Sequence, residues 1–307
     1  MESTPEFESD VHDAHASRAV KSGLDVLDLT RLDDLHFEGH SLPMPGGRVF
    51  GGQVLAQAVM AADATTPDSR NIHSLHCYFL RPGDATEAIR FEVEVLRDGG
   101  SFSARRVHAF QAERPLLTMA ASFQEEQNGL DHSVAMPDVP GPSEVASGVE
   151  ALTPYAGHPS ADFWLERAPF DVRHVEGPIF AAPDLRPRAS QMTWMRTRTP
   201  LGDVPDSVHR ALIAFGCDQV LLEPLLRRHG FAWSTPGLTY ASLDHAMWFH
   251  RPVRADEWLL FMQDAPSSHG GRGITGAWVF TETGEMVASM AQEGMLRAPT
   301  PQSSTQQ

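Results

Sequence analysis

Apolar residues fall into two spacings along this chain, one helical and one alternating. Val54 to Ala62 keeps an apolar, alanine-rich stretch together. His209 to Arg228 sets Leu212, Ile213, Phe215, Val220, Leu221, Leu225 and Leu226 near a period of 3.6, which predicts a long helix. Elsewhere Phe91, Val93 and Val95 alternate with Glu92 and Glu94, the pattern of a strand with one face buried. Turn signals such as RPGD, RDGG and ETGE separate these runs. Ahead of the helices, Asp171 to Val175 and Gln191 to Arg196 read as strands, and Leu35 to Phe37 as a weaker one.

The pattern occurs twice. Ser74 to Gln124 and Ser242 to Gln292 share their order of motifs at a spacing of 168, and the pairs Arg81-Pro82 and Arg251-Pro252 stand 170 apart. Each copy reads strand, strand, helix, then four strands, which is an α+β layer with one helix on an antiparallel sheet. Pro137 to Pro205 holds 11 of the 23 prolines, so a long connection is expected whose later part joins the second copy. The expected division is a flexible arm at 1–24, a first unit at 25–130, a Pro-rich linker at 131–165, a second unit at 166–298 and a disordered tail at 299–307.

At 307 residues the chain has room for about two domains. Its net charge of −16, with 24 Lys plus Arg against 40 Asp plus Glu, argues against nucleic-acid binding, which needs an excess of cations. Cys77 and Cys217 offer neither a disulfide framework nor a paired metal spacing, and favour a reducing compartment. The first thirty residues lack a signal-peptide pattern, no apolar run reaches the roughly 20 residues of a membrane helix, and no Ser-Lys-Leu closes the chain. A cytoplasmic location is expected.

The segments VFGGQVLAQAV, HSLHCYFLRPGD, GGSFSARRV, LDHAMWFHRP and VASMAQEGMLR resemble the acyl-CoA thioesterase II family, over roughly Leu27 to Arg297. The resemblance implies a double hot-dog fold, two antiparallel sheets each wrapped on a long helix. It also implies hydrolysis of fatty acyl-CoA to fatty acid and coenzyme A without a cofactor, and a homodimer or homotetramer. Family residues that hold and polarise the attacking water fall on Asp218 in AFGCDQVLL, Ser242 in YASLDHAMW and Gln292 in VASMAQEG. Relatives carry Thr at the position of Ser242. Serine keeps the hydroxyl but lacks the methyl that stiffens threonine. Backbone N–H groups at a helix start are the natural donors to an oxyanion. Phe50-Gly51-Gly52-Gln53, set against Phe215-Gly216-Cys217-Asp218-Gln219, lacks the carboxylate, so the first copy is expected to shape the acyl or CoA site without catalysing.

Two other readings stay open. A hot-dog enoyl-CoA hydratase would use an Asp and a His ahead of the helix, near Asp203 and His209, and a non-catalytic acyl-CoA binding module would need no water site. Arg81, Arg105, Arg106 and Arg272 are candidates for the CoA phosphates, although any single one reads more readily as a solvated or ion-paired surface arginine. Gly271 to Gly276 matches G-x-G-x-x-G but precedes a strand-like run and is expected to be a turn. His73 and His76 face opposite sides of a strand, which rules out a shared metal. His12 and His15 are expected in solvent. The neighbours Asp244 and His245 make a poor dyad for the same geometric reason.

Overall fold

A computed structural model describes residues 5–298, so the tail expected at 299–307 lies outside the described residues. The first half runs α1 (Pro5–Asp25), β1 (Thr30–Arg31), β2 (His36–Gly39), α2 (Gly51–Asp63), β3 (Arg70–Phe79), β4 (Ile89–Asp98), β5 (Phe102–Gln111) and β6 (Arg114–Glu125). Two short helices follow, α3 (Gly148–Leu152) and α4 (Pro159–Glu166). The second half runs β7 (Phe170–His174), β8 (Ser190–Thr197), α5 (Asp206–Cys217), α6 (Glu223–His229), β9 (Thr239–Ser242), β10 (Asp244–Phe249), β11 (Leu259–His269), β12 (Arg272–Thr281) and β13 (Met286–Arg297).

The main strands of the two halves take the same spatial order, β2-β4-β5-β6-β3 and β8-β11-β12-β13-β10. Their free edges join where β3 pairs antiparallel with β10, Leu75 opposite Met247 and His76 opposite Ala246. The two sheets expected from the sequence are thereby one continuous sheet, and the double hot-dog architecture holds. Helices α2 and α5 lie side by side in its hollow, and Leu55, Val59, Leu212, Phe91, Phe123, Phe261 and Val279 fill the space between helices and strands. Burying such a side chain contributes about 1.5–3 kcal/mol. α2 touches both the sheet and α5, which is why it is rich in alanine and buried on nearly every side. Its two buried glutamines are satisfied: Gln53 Oε1 accepts from Leu42 N–H at 2.9 Å, and Gln57 Nε2 donates to Val26 and His40 carbonyls at 2.8 and 2.9 Å.

Three expectations change. Much of the arm at 1–24 is helix α1, where Ala16, Ala19 and Val20, spaced for one helical face, are buried. His12 lies outside the residues whose side chains are described. The run from His209 to Arg228 is two helices rather than one: α5 stops at Cys217, and Pro224, which has no N–H for a helical ladder, sits in the first turn of α6. The linker at 131–165 is packed structure. Met136, Val139 and Val145 cover Trp194, Leu260 and Phe280 on the face of the sheet away from the helices, and Trp194 Nε1 donates to the Pro140 carbonyl at 2.9 Å.

The G-x-G-x-x-G segment, expected to be a turn, is mostly strand: Arg272 to Gly276 lie in β12, and only Gly271 belongs to the hairpin. Gly270 and Gly271, both at positive φ, turn the chain between paired His269 and Arg272.

Candidate active site

α2 and α5 run antiparallel, so the start of the first meets the end of the second. At that junction a methyl on Gly52 would lie 2.4 Å from the Phe215 carbonyl oxygen, and one on Gly51 would lie 3.0 Å from Asp218 Oδ2. Only glycine permits this approach. The equation of Phe50-Gly51-Gly52 with Phe215-Gly216-Cys217 is thus corrected: the first motif begins a helix and the second ends one. They meet in space, with the Phe50 and Phe215 rings 5.7 Å apart. Gly51 and Gly52 belong to the opening turn of α2, where backbone N–H groups have no partner inside the helix.

Asp218 caps the end of α5 and faces a cavity of about 780 Å³ that Gly51 and Ser242 also line. The Ser242 hydroxyl donates to Asp218 Oδ1 at 3.1 Å. Gln292 Nε2 donates to the same Oδ1 at 2.9 Å and to Ser242 Oγ at 2.6 Å. The three residues singled out from sequence therefore converge. Asp218 Oδ2 has no hydrogen-bond partner among the described residues.

Gln292 itself is fully buried and does not line the cavity. Both of its N–H bonds point to Asp218 and Ser242, so it places those groups instead of reaching a water in the cavity. Its carbonyl Oε1 meets His245 Nδ1 at 2.9 Å. The His245 ring is buried, and burial pushes its pKa down, although Gln292, Asp218 and Asp244 oppose the shift. A neutral ring that donates from Nδ1 fixes which end of the Gln292 amide faces Asp218. Its Nε2 then faces the Cys217 sulfur 3.7 Å away, and the Cys217 thiol, which burial holds protonated, donates to the Ala214 carbonyl at 3.4 Å.

A register shift makes this possible. Ser242 stands opposite Gly294, yet Ala246 stands opposite Ala291, so one extra residue is accommodated near Leu243. Residues three apart on a regular strand face opposite sides. The shift turns both Ser242 and His245 toward Gln292. His245, set aside in the sequence because its neighbour Asp244 faces elsewhere, is thus part of the site. Asp244 accepts from the Glu293 N–H at 2.8 Å and is no partner of His245.

Other candidates fall away. Arg105 is buried and bonded to Thr65 and Asp98, Arg106 pairs with Glu94 at 3.0 Å, and Arg272 pairs with Glu293 at 3.1 Å. Of the four arginines only Arg81 lines the cavity, joined by Arg48 and Arg198, which the motifs did not single out. His73 bonds Ser122 Oγ at 2.8 Å and His76 packs edge-on against Trp248. Asp203 is exposed. His209 is buried with Nδ1 accepting from the Ala255 N–H at 3.1 Å, and neither lines the cavity, so the hydratase pair has no site. The connection contributes Phe163 and Trp164 to the cavity wall, Trp164 meeting Phe50 at 6.3 Å.

The fold and this cavity define a double hot-dog protein with a carboxylate at the junction of its two central helices. Residues 40–124 match the acyl-CoA thioesterase N-terminal domain and residues 137–296 the acyl-CoA thioesterase C-terminal domain. The chain is 33% identical to acyl-coenzyme A thioesterase 8 of Homo sapiens, covering 89% of this chain and 88% of that one. It is 34% identical to acyl-CoA thioesterase 2 of Haemophilus influenzae, covering 89% and 96%. A crystal structure of an acyl-CoA thioesterase II from Mycobacterium marinum superposes with a TM-score of 0.73 at 38% identity, over 92% of this chain and 99% of that chain. The chain belongs to the acyl-CoA thioesterase II family.

Proposed function

We propose that this chain hydrolyses fatty acyl-CoA thioesters with a water held between Asp218 and Ser242. The observation that carries the reading is the triangle of Asp218, Ser242 and Gln292 at 2.6–3.1 Å beside a cavity large enough for an acyl chain. Asp218 Oδ1 is occupied by Ser242 and Gln292, which leaves Oδ2 as the general base. The Ser242 oxygen, already donating to Asp218 and accepting from Gln292, keeps one lone pair for the water. The water oxygen attacks the thioester carbonyl as its proton passes to Oδ2. The N–H groups that open α2 meet the developing oxyanion, favoured by the positive end of the helix dipole. Collapse breaks the carbon–sulfur bond, and the proton held by Asp218 goes to the departing thiolate.

In this scheme Asp218 and Ser242 are the catalytic side chains, while Gln292 and His245 position them. Arg48 and Arg81, exposed at the cavity, supply charge for the CoA phosphates. No helix among the described residues is long and apolar enough to cross a membrane. Two free, buried cysteines fit a reducing cytoplasm, and the same reading includes assembly as a homodimer or homotetramer.

The test is thiol release from decanoyl-CoA by Asp218→Asn. Loss of a general base predicts kcat lower by about 10²–10⁴ with acyl-CoA binding retained. Full turnover would remove Asp218 from the chemistry, and an inactive wild type that still binds acyl-CoA would make the chain a binding module.

A further inference from the structure

We infer that Arg227 sets the longest acyl chain this enzyme accepts, by fastening residues 177–184 as a strap across the acyl end of the cavity. The inference rests on the proposed thioesterase site and adds a specificity-determining residue to it, one that acts through the strap and does not touch substrate. Wall segments from the first half bring Arg48 and Arg81, cations suited to the coenzyme phosphates. A thioester held at Asp218 with its coenzyme on that side sends its acyl chain the other way, toward Ile179, Phe180, Leu222 and Trp233.

The strap belongs to one half only. In the first half the opening strands β1 and β2 are joined by the short turn 32–35, whereas in the second half β7 and β8 are joined by residues 175–189. This longer connection carries Ile179 and Phe180 into the cavity wall. Phe180 packs against Tyr155 at 5.5 Å and edge-on against His158 at 5.6 Å, so the chain between the halves backs it from outside.

Beyond Phe180 the strap has little apolar packing of its own. Residues 181–187 are exposed apart from Asp184, and Leu185 at the tip stands in solvent. Polar anchors hold it. The Trp233 and Ser234 N–H groups donate to the Ile179 and Phe180 carbonyls at 3.1 and 3.0 Å. Arg227, fully buried near the end of α6, sends its three nitrogens in three directions: Nε donates to Gln191 Oε1 at 2.6 Å, Nη1 to Asp184 Oδ2 at 3.1 Å and Nη2 to the Gly177 carbonyl at 2.5 Å. Two of these bonds grip the strap, one on each side of Phe180.

Gln191 passes the constraint to a second wall segment. Its Nε2 donates to Glu223 Oε2 at 2.8 Å, and Glu223 Oε1 accepts from Trp233 Nε1 at 2.8 Å. Glu223 and Arg227, one turn apart on α6, thus fasten both Trp233 and the strap. The planar fork of arginine meets acceptors on separate segments that a single ammonium could not reach together. Leucine or methionine would fill the same space without the desolvation cost of a charge, so what the arginine adds is the grip on the strap.

The experiment measures kcat/KM for saturated acyl-CoAs from hexanoyl to palmitoyl, below micelle-forming concentrations, in the wild type, Arg227→Met, Asp184→Asn and Phe180→Ala. The wild type is expected to rise to a best length and then fall toward palmitoyl-CoA. In each variant the best length moves to longer chains, and the ratio of palmitoyl-CoA to hexanoyl-CoA rises by about tenfold, the worth of one methylene in an apolar pocket. Asp184→Asn keeps the shape of the anchor and Phe180→Ala leaves the Arg227 bonds whole, so the outcome does not hang on Arg227→Met folding. A wild type whose kcat/KM does not fall by palmitoyl-CoA overturns the inference, and needs no variant. Folded Arg227→Met or Asp184→Asn that keeps the wild-type ratio, or slows every length by one common factor as a purely structural residue would, overturns it as well. The two readings separate cleanly: a wild type that hydrolyses no member of the ladder rejects the thioesterase site and the strap together, whereas turnover with an unmoved length preference rejects the strap alone.

Discussion

The junction of α2 and α5 exists twice, and the two copies have opposite fates. Where α2 begins and α5 ends, two glycines and Asp218 open onto the cavity. Where α5 begins and α2 ends, Asp63 bonds Ser207 and faces Arg210, and the Arg210 guanidinium lies 5.4 Å over the Phe249 ring and bonds the Ile72 carbonyl. One junction is filled by its own side chains, and burial pushes the Asp63 carboxyl up. The other leaves a carboxylate oxygen without a partner among the described residues. Duplication supplied two equivalent places for an acid, and the neighbours decide which one meets substrate.

Exchanging the acids is the sharpest way to test that contrast. Asp218→Ala should lower kcat by about 10²–10⁴, whereas Asp63→Ala should leave turnover within about twofold and appear in the melting temperature. Equal losses at both positions would erase the distinction. Next comes Gly52→Ala, whose methyl would enter the Phe215 carbonyl. Overpacking of about 1–3 kcal/mol predicts a melting temperature lower by several degrees together with reduced activity. A variant as stable and active as the wild type would show that the junction tolerates separation.

His245→Ala frees the Gln292 amide to rotate. Expected is a fall in kcat of about tenfold with KM nearly unchanged, because the loss is in positioning and not in binding. A rise in KM alone would point to a different role.

The smallest effect is on acid stability. Burial, the largest influence on each, holds the rings of His73, His209, His245 and His250 below the ordinary value of 6.5. Below about pH 6.5 the unfolded chain binds protons that these folded rings refuse, so stability present above that pH is lost as pH falls. Melting temperature should drop between about pH 7.5 and about pH 5.5, and His250→Asn should flatten the slope. A flat profile in the wild type would contradict the assignment.

Much of this was legible in the sequence because it rests on local pattern. Alternation in Phe91 to Val95 and the repeated strand, strand, helix and four-strand order gave the architecture, and the motifs brought Asp218, Ser242 and Gln292 to notice. What escaped notice depends on register and on distant packing. The repeat sets Gln124 against Gln292, yet Phe123 takes the inner face of β6 and Gln124 bonds Gln127. No spacing rule reveals the shift near Leu243 that turns Ser242 and His245 the same way. Nor does the motif Phe50-Gly51-Gly52 disclose that it serves a carboxylate more than 160 residues further on. Arginines mislead for a related reason: Arg105 looks like a phosphate contact until its neighbours Thr65 and Asp98 are seen to consume it.

The pairing of β3 with β10 has a consequence for solubility and assembly. A chain with a single copy would expose that edge as a row of open backbone groups, a template for any passing strand. Here the edge is closed from within, since tethering supplies the second copy at an effective concentration of about millimolar or above for a short flexible link. The strands left at the ends of the sheet, β1 and β7, are two and five residues long, too short to recruit another sheet with much force.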